Sequence, residues 1–193
     1  MSIFKIMSIL IEYPDAELRS NLFLLRERAI ASGKLDDERV AELDKFLAFV
    51  GSIDLTELQA EYVQTFDLTP EHSLHLTHHI FGEDKNRGPA LIDLTELYRG
   101  HGLAIEGNEL PDYLPLILEF AHSVSEDEGT RFLADTGKVL RVLAGNLEKA
   151  GSPWLSLLKI VLHLAGQAGP LVCAEELAGK PAACVATCGA AIE

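Results

Sequence analysis

The sequence predicts an all-α, single-domain bundle of about eight or nine helices, and three observations carry that expectation. Nearly every segment repeats its apolar residues at the helical period of about 3.6 rather than alternating them as a strand would. Several of these segments open on an Asp or Ser able to cap a first turn, and close at Gly or Pro. A length of 193 residues with 48% hydrophobic content suffices for one good core, and no interior linker or repeat divides it.

The elements follow in chain order. Ile3 to Glu12 reads as a short apolar helix stopped by Pro14. Asp15 caps a second, in which Leu18, Leu22, Leu25 and Ala29 share a face, ending at Gly33. Asp36 or Asp37 opens a third, with Val40, Leu43, Leu47 and Val50 aligned and Gly51 as its expected stop. Asp54 caps a fourth through Leu55, Leu58, Tyr62 and Phe66. Residues 68–88 mix a short helix with the charged loop Gly82-Glu83-Asp84-Lys85-Asn86-Arg87-Gly88. Pro89 starts a helix through Tyr98, stopped near Gly100 or Gly102.

The segment Glu109-Leu110-Pro111-Asp112-Tyr113-Leu114-Pro115-Leu116-Ile117-Leu118-Glu119-Phe120 is the most informative. Pro111 keeps Leu110 extended, Asp112 is expected as N-cap, and Pro115 falls in the first turn, where a missing N–H costs nothing. Tyr113, Ile117, Phe120 and Val124 then form one stripe, and Leu114, Leu118 and Ala121 its neighbour. Helices are further expected over 130–147, and from a Ser152 cap with Pro153 in first position to Ala165. Apart from the stripe Ser156, Lys159 and His163, that last helix is almost wholly apolar and belongs in the core. The domain is thus expected over 1–166. Residues 167–193, rich in Ala and Gly with Pro170 and Pro181, are expected to form a weakly ordered tail.

Acids outnumber bases 30 to 16, a formal charge of −14. Nucleic acid is therefore not an expected partner, since backbone binding needs Lys/Arg patches; a cationic peptide segment is what this field attracts. No apolar run reaches the roughly 20 residues of a membrane span, and the N-terminus lacks the basic and apolar regions of an export signal. Three cysteines, Cys173, Cys184 and Cys188, all in the tail, do not make a disulfide framework or paired Cys-x2-Cys knuckles. A cytoplasmic protein is the simplest expectation.

Enzyme templates fail: there is no phosphate-cradling loop, dinucleotide fingerprint or nucleophile elbow. His72, His75, His78 and His79 cluster in sequence, but without a His-Glu-x-x-His pattern, so His72, His75 and His79 stand as a minor metal candidate against a structural role. The helix from Asp54 places Asp54, Glu57 and Glu61 on one face, and the repulsion between Glu57 and Glu61 costs a few tenths of a kcal/mol. Acids near a helix N-terminus are also favoured by its dipole.

Taken together, these blocks resemble a known family. The 109–120 segment is similar to the signature of the NarJ-type nitrate reductase assembly chaperones, within the wider TorD/DmsD group of redox-enzyme maturation proteins. Tyr62-Val63-Gln64-Thr65-Phe66-Asp67, Ser73-Leu74, Gly82-Glu83, Arg87-Gly88-Pro89-Ala90-Leu91 and the opening Leu10-Ile11-Glu12-Tyr13-Pro14 agree in order and spacing. The resemblance covers about residues 3–166 and implies a TorD-like helical, cytoplasmic, non-catalytic chaperone that binds no cofactor stably. It implies a client, the catalytic subunit of a respiratory nitrate reductase, held by its basic, twin-arginine-like N-terminal leader until the molybdenum cofactor and an iron–sulfur cluster are installed. A client such as a dimethyl sulfoxide, selenate or chlorate reductase is the first alternative, and a metal-binding enzyme using the His72–His79 cluster the lesser one.

Carried over by position, the family's Glu-x-Pro-Asp-His block falls on Glu109, Pro111, Asp112 and Tyr113, with tyrosine where histidine is frequent. The Tyr-x3-Phe-Asp block falls on Tyr62, Phe66 and Asp67. With the acids Glu57, Glu61 and Glu119 and the apolar Leu114, these are the expected leader-binding residues. An amphipathic leader laid in a helix-lined groove would bury its apolar face while carboxylates meet its Arg/Lys side chains. On that basis Leu114→Ala or Phe120→Ala is expected to weaken folding, and Asp112→Asn or Glu119→Gln to weaken binding.

Overall fold

A computed structural model describes residues 1–82, 84–105 and 107–167. Nine α-helices lie among the described residues: α1 Ile3–Ile11, α2 Ala16–Ala31, α3 Asp37–Ser52, α4 Leu55–Tyr62, α5 Leu76–Phe81, α6 Arg87–Gly100, α7 Leu114–Ser123, α8 Glu126–Lys149 and α9 Leu155–Leu164. The expected all-α bundle is what the chain forms. The expected tail lies outside the described residues apart from Gln167, whose amide nitrogen donates to the Ala134 carbonyl.

Side-chain capping sets four of the nine helix starts among the described residues. Asp15 accepts from the Leu18 N–H at 2.7 Å, Asp36 from Arg39 at 2.8 Å and Asp54 from Glu57 at 2.9 Å, each satisfying a donor the helix itself cannot. α3 runs one residue past Gly51, to Ser52. Its end is held from outside, because Arg19 donates to the Ile53 carbonyl at 2.7 Å. α8 begins four residues before the expected Thr130, because Ser125 caps it. The Ser125 Oγ accepts from the Glu128 N–H at 3.4 Å, and three acids in the first turn complement the dipole.

α9 corrects the expected Ser152 start. Residues 152–155 instead form a tight turn, with the Leu155 N–H donating to the Ser152 carbonyl, so that Trp154 seats in the core before the helix begins at Leu155. Trp154 is fully buried, with its ring 5.0 Å from Phe46, 5.4 Å from Tyr62 and 5.2 Å from Phe66. The polar stripe of α9 faces α3 and the end of α2. Ser156 and Lys159 donate to the Glu42 carboxylate at 2.6 and 3.2 Å, and the His163 ring meets the Lys34 carbonyl at 3.2 Å.

The centre is built from helices apolar on nearly every side. α1 packs along α7, α3 along α9, and α8 crosses both α7 and α9. Ile6, Met7, Leu10 and Ile11 of α1, Leu114, Ile117 and Leu118 of α7, and Leu140 and Leu143 of α8 are essentially sealed from solvent. α1 and α7 run antiparallel: Ser2 reaches His122 and Lys5 reaches Glu119 at one end, while Glu12 at the other end acts electrostatically on Tyr113. No helix among the described residues is long and apolar enough to cross a membrane.

Candidate functional site

Between α4 and α5 the chain leaves regular geometry. Val63–Asp67 winds as a π-helical turn, closed by the Leu68 N–H donating to the Val63 carbonyl at 3.0 Å. Such turns insert one residue and recur at functional sites. Here the turn points Phe66 into the aromatic core beside Trp154 and leaves Asp67 exposed at its end.

The entrance to α7 is held by a long-range contact. The Leu76 N–H donates to the Asp112 carbonyl at 3.0 Å, and the Leu114 N–H to the Leu74 carbonyl at 2.9 Å. This isolated antiparallel bridge between His75 and Tyr113 keeps Tyr113 extended and delays the helix to Leu114. Asp112 is therefore not the N-cap. Its side chain is 0% exposed and accepts from the Thr77 backbone N–H at 3.1 Å and from the Thr77 hydroxyl. His75 Nδ1 lies 3.2 Å away and Arg87 Nη2 3.7 Å away. Burial alone would push this carboxyl up, but the bonds from His75 and Thr77 outweigh it and hold it below the usual carboxylate range. Asp112 is thus the buried hub that ties α5 and the start of α6 to α7.

The bridge also sets Tyr113 beside Tyr62, hydroxyl to hydroxyl at 3.0 Å. The Tyr13 ring stands edge-on to Tyr62 at 5.4 Å, and the His75 ring lies 5.4 Å from Tyr113. Burial pushes the Tyr62 phenol far up, and Tyr113, Asp67 and Glu12 add to it. Burial likewise raises Tyr113 against the lowering bond from Tyr62, and Glu109, Glu12 and Asp67 add to the rise. Both phenols stay protonated, so one proton joins the pair and the other remains available to an incoming acceptor.

Three carboxylates act electrostatically on this tyrosine pair: Glu12, Asp67 and Glu109. Each is followed in the chain by an exposed large apolar side chain, namely Tyr13 at 51%, Leu68 at 65% and Leu110 at 39% exposure. Glu12 is half-buried, its carboxyl raised by burial and by Glu119, against the lowering effect of Lys5 and Ser8. Carboxylates beside phenol faces and greasy side chains can pair with cations, stack on them and cover an apolar stem.

The expected residues divide accordingly. Tyr62 and Tyr113 come together, Asp67 and Glu109 act on them electrostatically, and Glu119 acts on Glu12. Pro111, Asp112, Leu114 and Phe66 are buried and structural in position. Glu57 and Glu61 lie exposed on α4. His72 Nδ1 meets the Thr65 carbonyl at 3.2 Å, His75 meets Asp112, and His79 Nε2 meets the Ser73 carbonyl at 2.7 Å. Among the described residues no group of three or more His, Cys, Asp or Glu is placed to hold a metal; the three cysteines lie outside them. Sequence reasoning missed Glu12, Tyr13 and Lys5, although Glu12-Tyr13-Pro14 stood within a recognised block.

The chain matches the family described as the nitrate reductase delta subunit over residues 33–159. It is 36% identical over 163 residues to the nitrate reductase molybdenum cofactor assembly chaperone NarJ of Escherichia coli (strain K12), covering 84% of this chain and 69% of that protein. It is 35% identical over 166 residues to the probable chaperone NarW of the same organism, covering 86% and 69%. Against the probable chaperone NarJ of Bacillus subtilis (strain 168) it is 32% identical over 164 residues, covering 82% and 85%. All three are named as assembly chaperones rather than catalysts, in line with the expectation of a non-enzyme. The resemblance expected from the ordered blocks is borne out, and this chain belongs to the NarJ-type family of nitrate reductase molybdenum cofactor assembly chaperones.

Proposed function

We propose that this protein binds the basic N-terminal leader of a nitrate reductase catalytic subunit and assists insertion of the molybdenum cofactor before the complex assembles. It acts in the cytoplasm, holds no cofactor stably itself, and meets a membrane only through its client. The leader lies against the tyrosine pair at the Glu12 end of the α1–α7 seam. Its cationic side chains meet Glu12, Asp67 and Glu109, and its apolar face covers Tyr13, Leu68 and Leu110.

The observation that supports this most is the alternation itself. Three acids act on a hydrogen-bonded pair of phenols, Tyr62 buried and Tyr113 partly so, and each acid adjoins an exposed apolar side chain. That is the complement of a basic amphipathic segment. Exposed ion pairs contribute only about 0–1 kcal/mol each, so burial of the apolar face supplies most of the affinity and the acids set orientation.

Calorimetric titration of the full chain with a synthetic leader peptide tests the assignment. Glu12→Gln combined with Glu109→Gln is expected to weaken binding about 5- to 30-fold, two pairs at up to about 1 kcal/mol each. Glu57→Gln combined with Glu61→Gln, exposed on α4 and not among the acids that act on the two phenols, is expected to change it less than about twofold. Unchanged affinity in the first double variant removes these carboxylates from the binding surface.

A further inference from the structure

Beside the tyrosine pair stands an imidazole fixed from one side and open on the other. His75 is bridged backbone to backbone with Tyr113, and its ring lies 5.4 Å from the Tyr113 ring at an interplanar angle of 35°. Its Nδ1 is 3.2 Å from Oδ1 of Asp112, a carboxylate sealed from solvent and held ionised. An ionised carboxylate only accepts, so in the neutral ring Nδ1 carries the proton and Nε2 the lone pair. Nε2 makes no hydrogen bond among the described residues. Nor is it one of their buried unpartnered side-chain atoms, which are Arg39 Nε and Trp154 Nε1. With the side chain 32% exposed, Nε2 therefore faces solvent beside Tyr113.

We propose that His75 is a specificity-determining residue of the leader site, accepting an N–H from a leader arginine at Nε2 while Asp112 fixes the ring from behind. This rests on the reading that the leader lies against the tyrosine pair. Carboxylates attract arginine and lysine alike by charge, whereas a neutral acceptor beside an aromatic ring distinguishes their shapes. A guanidinium is planar, so its face can lie on a ring while its five donors leave one N–H for Nε2 and others for a carboxylate. Glu109, which acts on Tyr113, is such a carboxylate. A lysine ammonium has no flat face to stack and holds its water more strongly, so it draws on the carboxylates and little on the imidazole. The tie from Asp112 sets both the tautomer and the direction in which the acceptor points, as a carboxylate does for a metal-binding histidine.

Two synthetic peptides test this by calorimetric titration of the full chain, a client leader and the same leader with its arginines replaced by lysine. Titrations are made at about pH 8, above the ordinary range of histidine titration, and urea unfolding reads the stability of each variant separately. His75→Asn keeps an amide N–H at the place of Nδ1 for Asp112 and has nothing at the place of Nε2. It is expected to be about as stable as wild type and to bind the arginine peptide about 3- to 10-fold more weakly, the range of one net hydrogen bond. Its affinity for the lysine peptide is expected to stay within about twofold of wild type. His75→Gln sets an amide oxygen near the place of Nε2 and gives up the tie to Asp112. It is expected to be the less stable of the two variants yet to bind the arginine peptide more tightly than His75→Asn. Affinity that follows stability, the reverse order, would make His75 a structural residue. In the wild-type protein, where no variant has to fold, the nitrogen-15 shift of Nε2 is expected to move on addition of the arginine peptide and to stay with the lysine peptide. Equal weakening of both peptides by His75→Asn, no weakening at all, or an unmoved Nε2 signal overturns the arginine-reading role and leaves the leader at the tyrosine pair. A wild-type protein that binds neither peptide overturns the site assignment itself, a result read before any variant is compared.

Discussion

Two carboxylates, Asp112 fully enclosed and Glu12 half-buried, do opposite things in this protein, and their surroundings decide which. Asp112 is enclosed by donors and held ionised; burial, and then the charge of Glu119, pushes Glu12 toward its neutral form. For Asp112, whose folded value lies below the unfolded value of about 3.9, the contribution to stability is full above about pH 4. It is lost as the pH falls through the depressed folded value. Asp112→Asn is therefore expected to cost about 2–3 kcal/mol at pH 7, in the range of hydrogen bonds to a charged group, and less near pH 2. Urea unfolding at both pH values checks this, and an equal loss at both would show that the charge is not what matters. The consequence for binding follows from placement: Asp112→Asn acts on the fold that positions Tyr113, not on a surface charge. Glu12 has the opposite sign. Its folded value is raised above about 4.3, so stability falls as the pH rises through that window. Glu12→Gln is expected to raise stability at pH 7 by a few tenths to about 1 kcal/mol while weakening leader binding. A variant that loses both, by thermal melt and by calorimetry, would make Glu12 a structural residue.

At the scale of elements, what the sequence disclosed depended on how far each signal reaches. Asp15, Asp36 and Asp54 were legible as caps because each bonds three residues ahead in its own helix. Asp112 carried the same local signature, yet its carboxylate turned to Thr77, 35 residues away, and the helix began two residues later. Ser152 was overridden by the need to bury Trp154. The site was half legible for the same reason. The residue types at Tyr62, Asp67, Glu109 and Tyr113 stood in recognisable blocks, but the meeting of Tyr62 with Tyr113 across 51 residues is a property of the bridge and the π-helical turn. Nothing in the period of α1 set Glu12 apart from 29 other acids. Helix packing offers its own test at Gly129, where an added Cβ would lie 2.4 Å from the Ala121 carbonyl oxygen of α7. Backbone cannot move aside as a side-chain tip can, so Gly129→Ala is expected to destabilise by about 1–3 kcal/mol, the range of overpacking, despite the better helix propensity of alanine. A variant as stable as wild type in denaturant titration would mean that the α7–α8 crossing is looser than this.

For the whole molecule, the charge of −14 and the local site have separable effects on association. The field of the entire surface acts on the approach of a cationic segment and is screened once the Debye length falls below the distances involved, from about 30 Å at 0.01 M salt to about 3 Å at 1 M. Contacts already formed beside the tyrosine pair are within one Debye length throughout, and the apolar share of the interface has no such dependence. Steering by the field should thus appear in the association rate and short-range pairing in the dissociation rate. Across that salt range the association rate with the leader peptide is expected to fall about 10- to 100-fold, while dissociation quickens by less than about tenfold. Stopped-flow mixing with a fluorescently labelled peptide resolves the two. Glu12→Gln then changes the dissociation rate and leaves the salt slope of association nearly untouched, since it alters the total by one charge. A salt effect carried wholly by dissociation would mean that the acidic surface does not recruit the client, and that its excess of carboxylates matters only where they touch the bound segment.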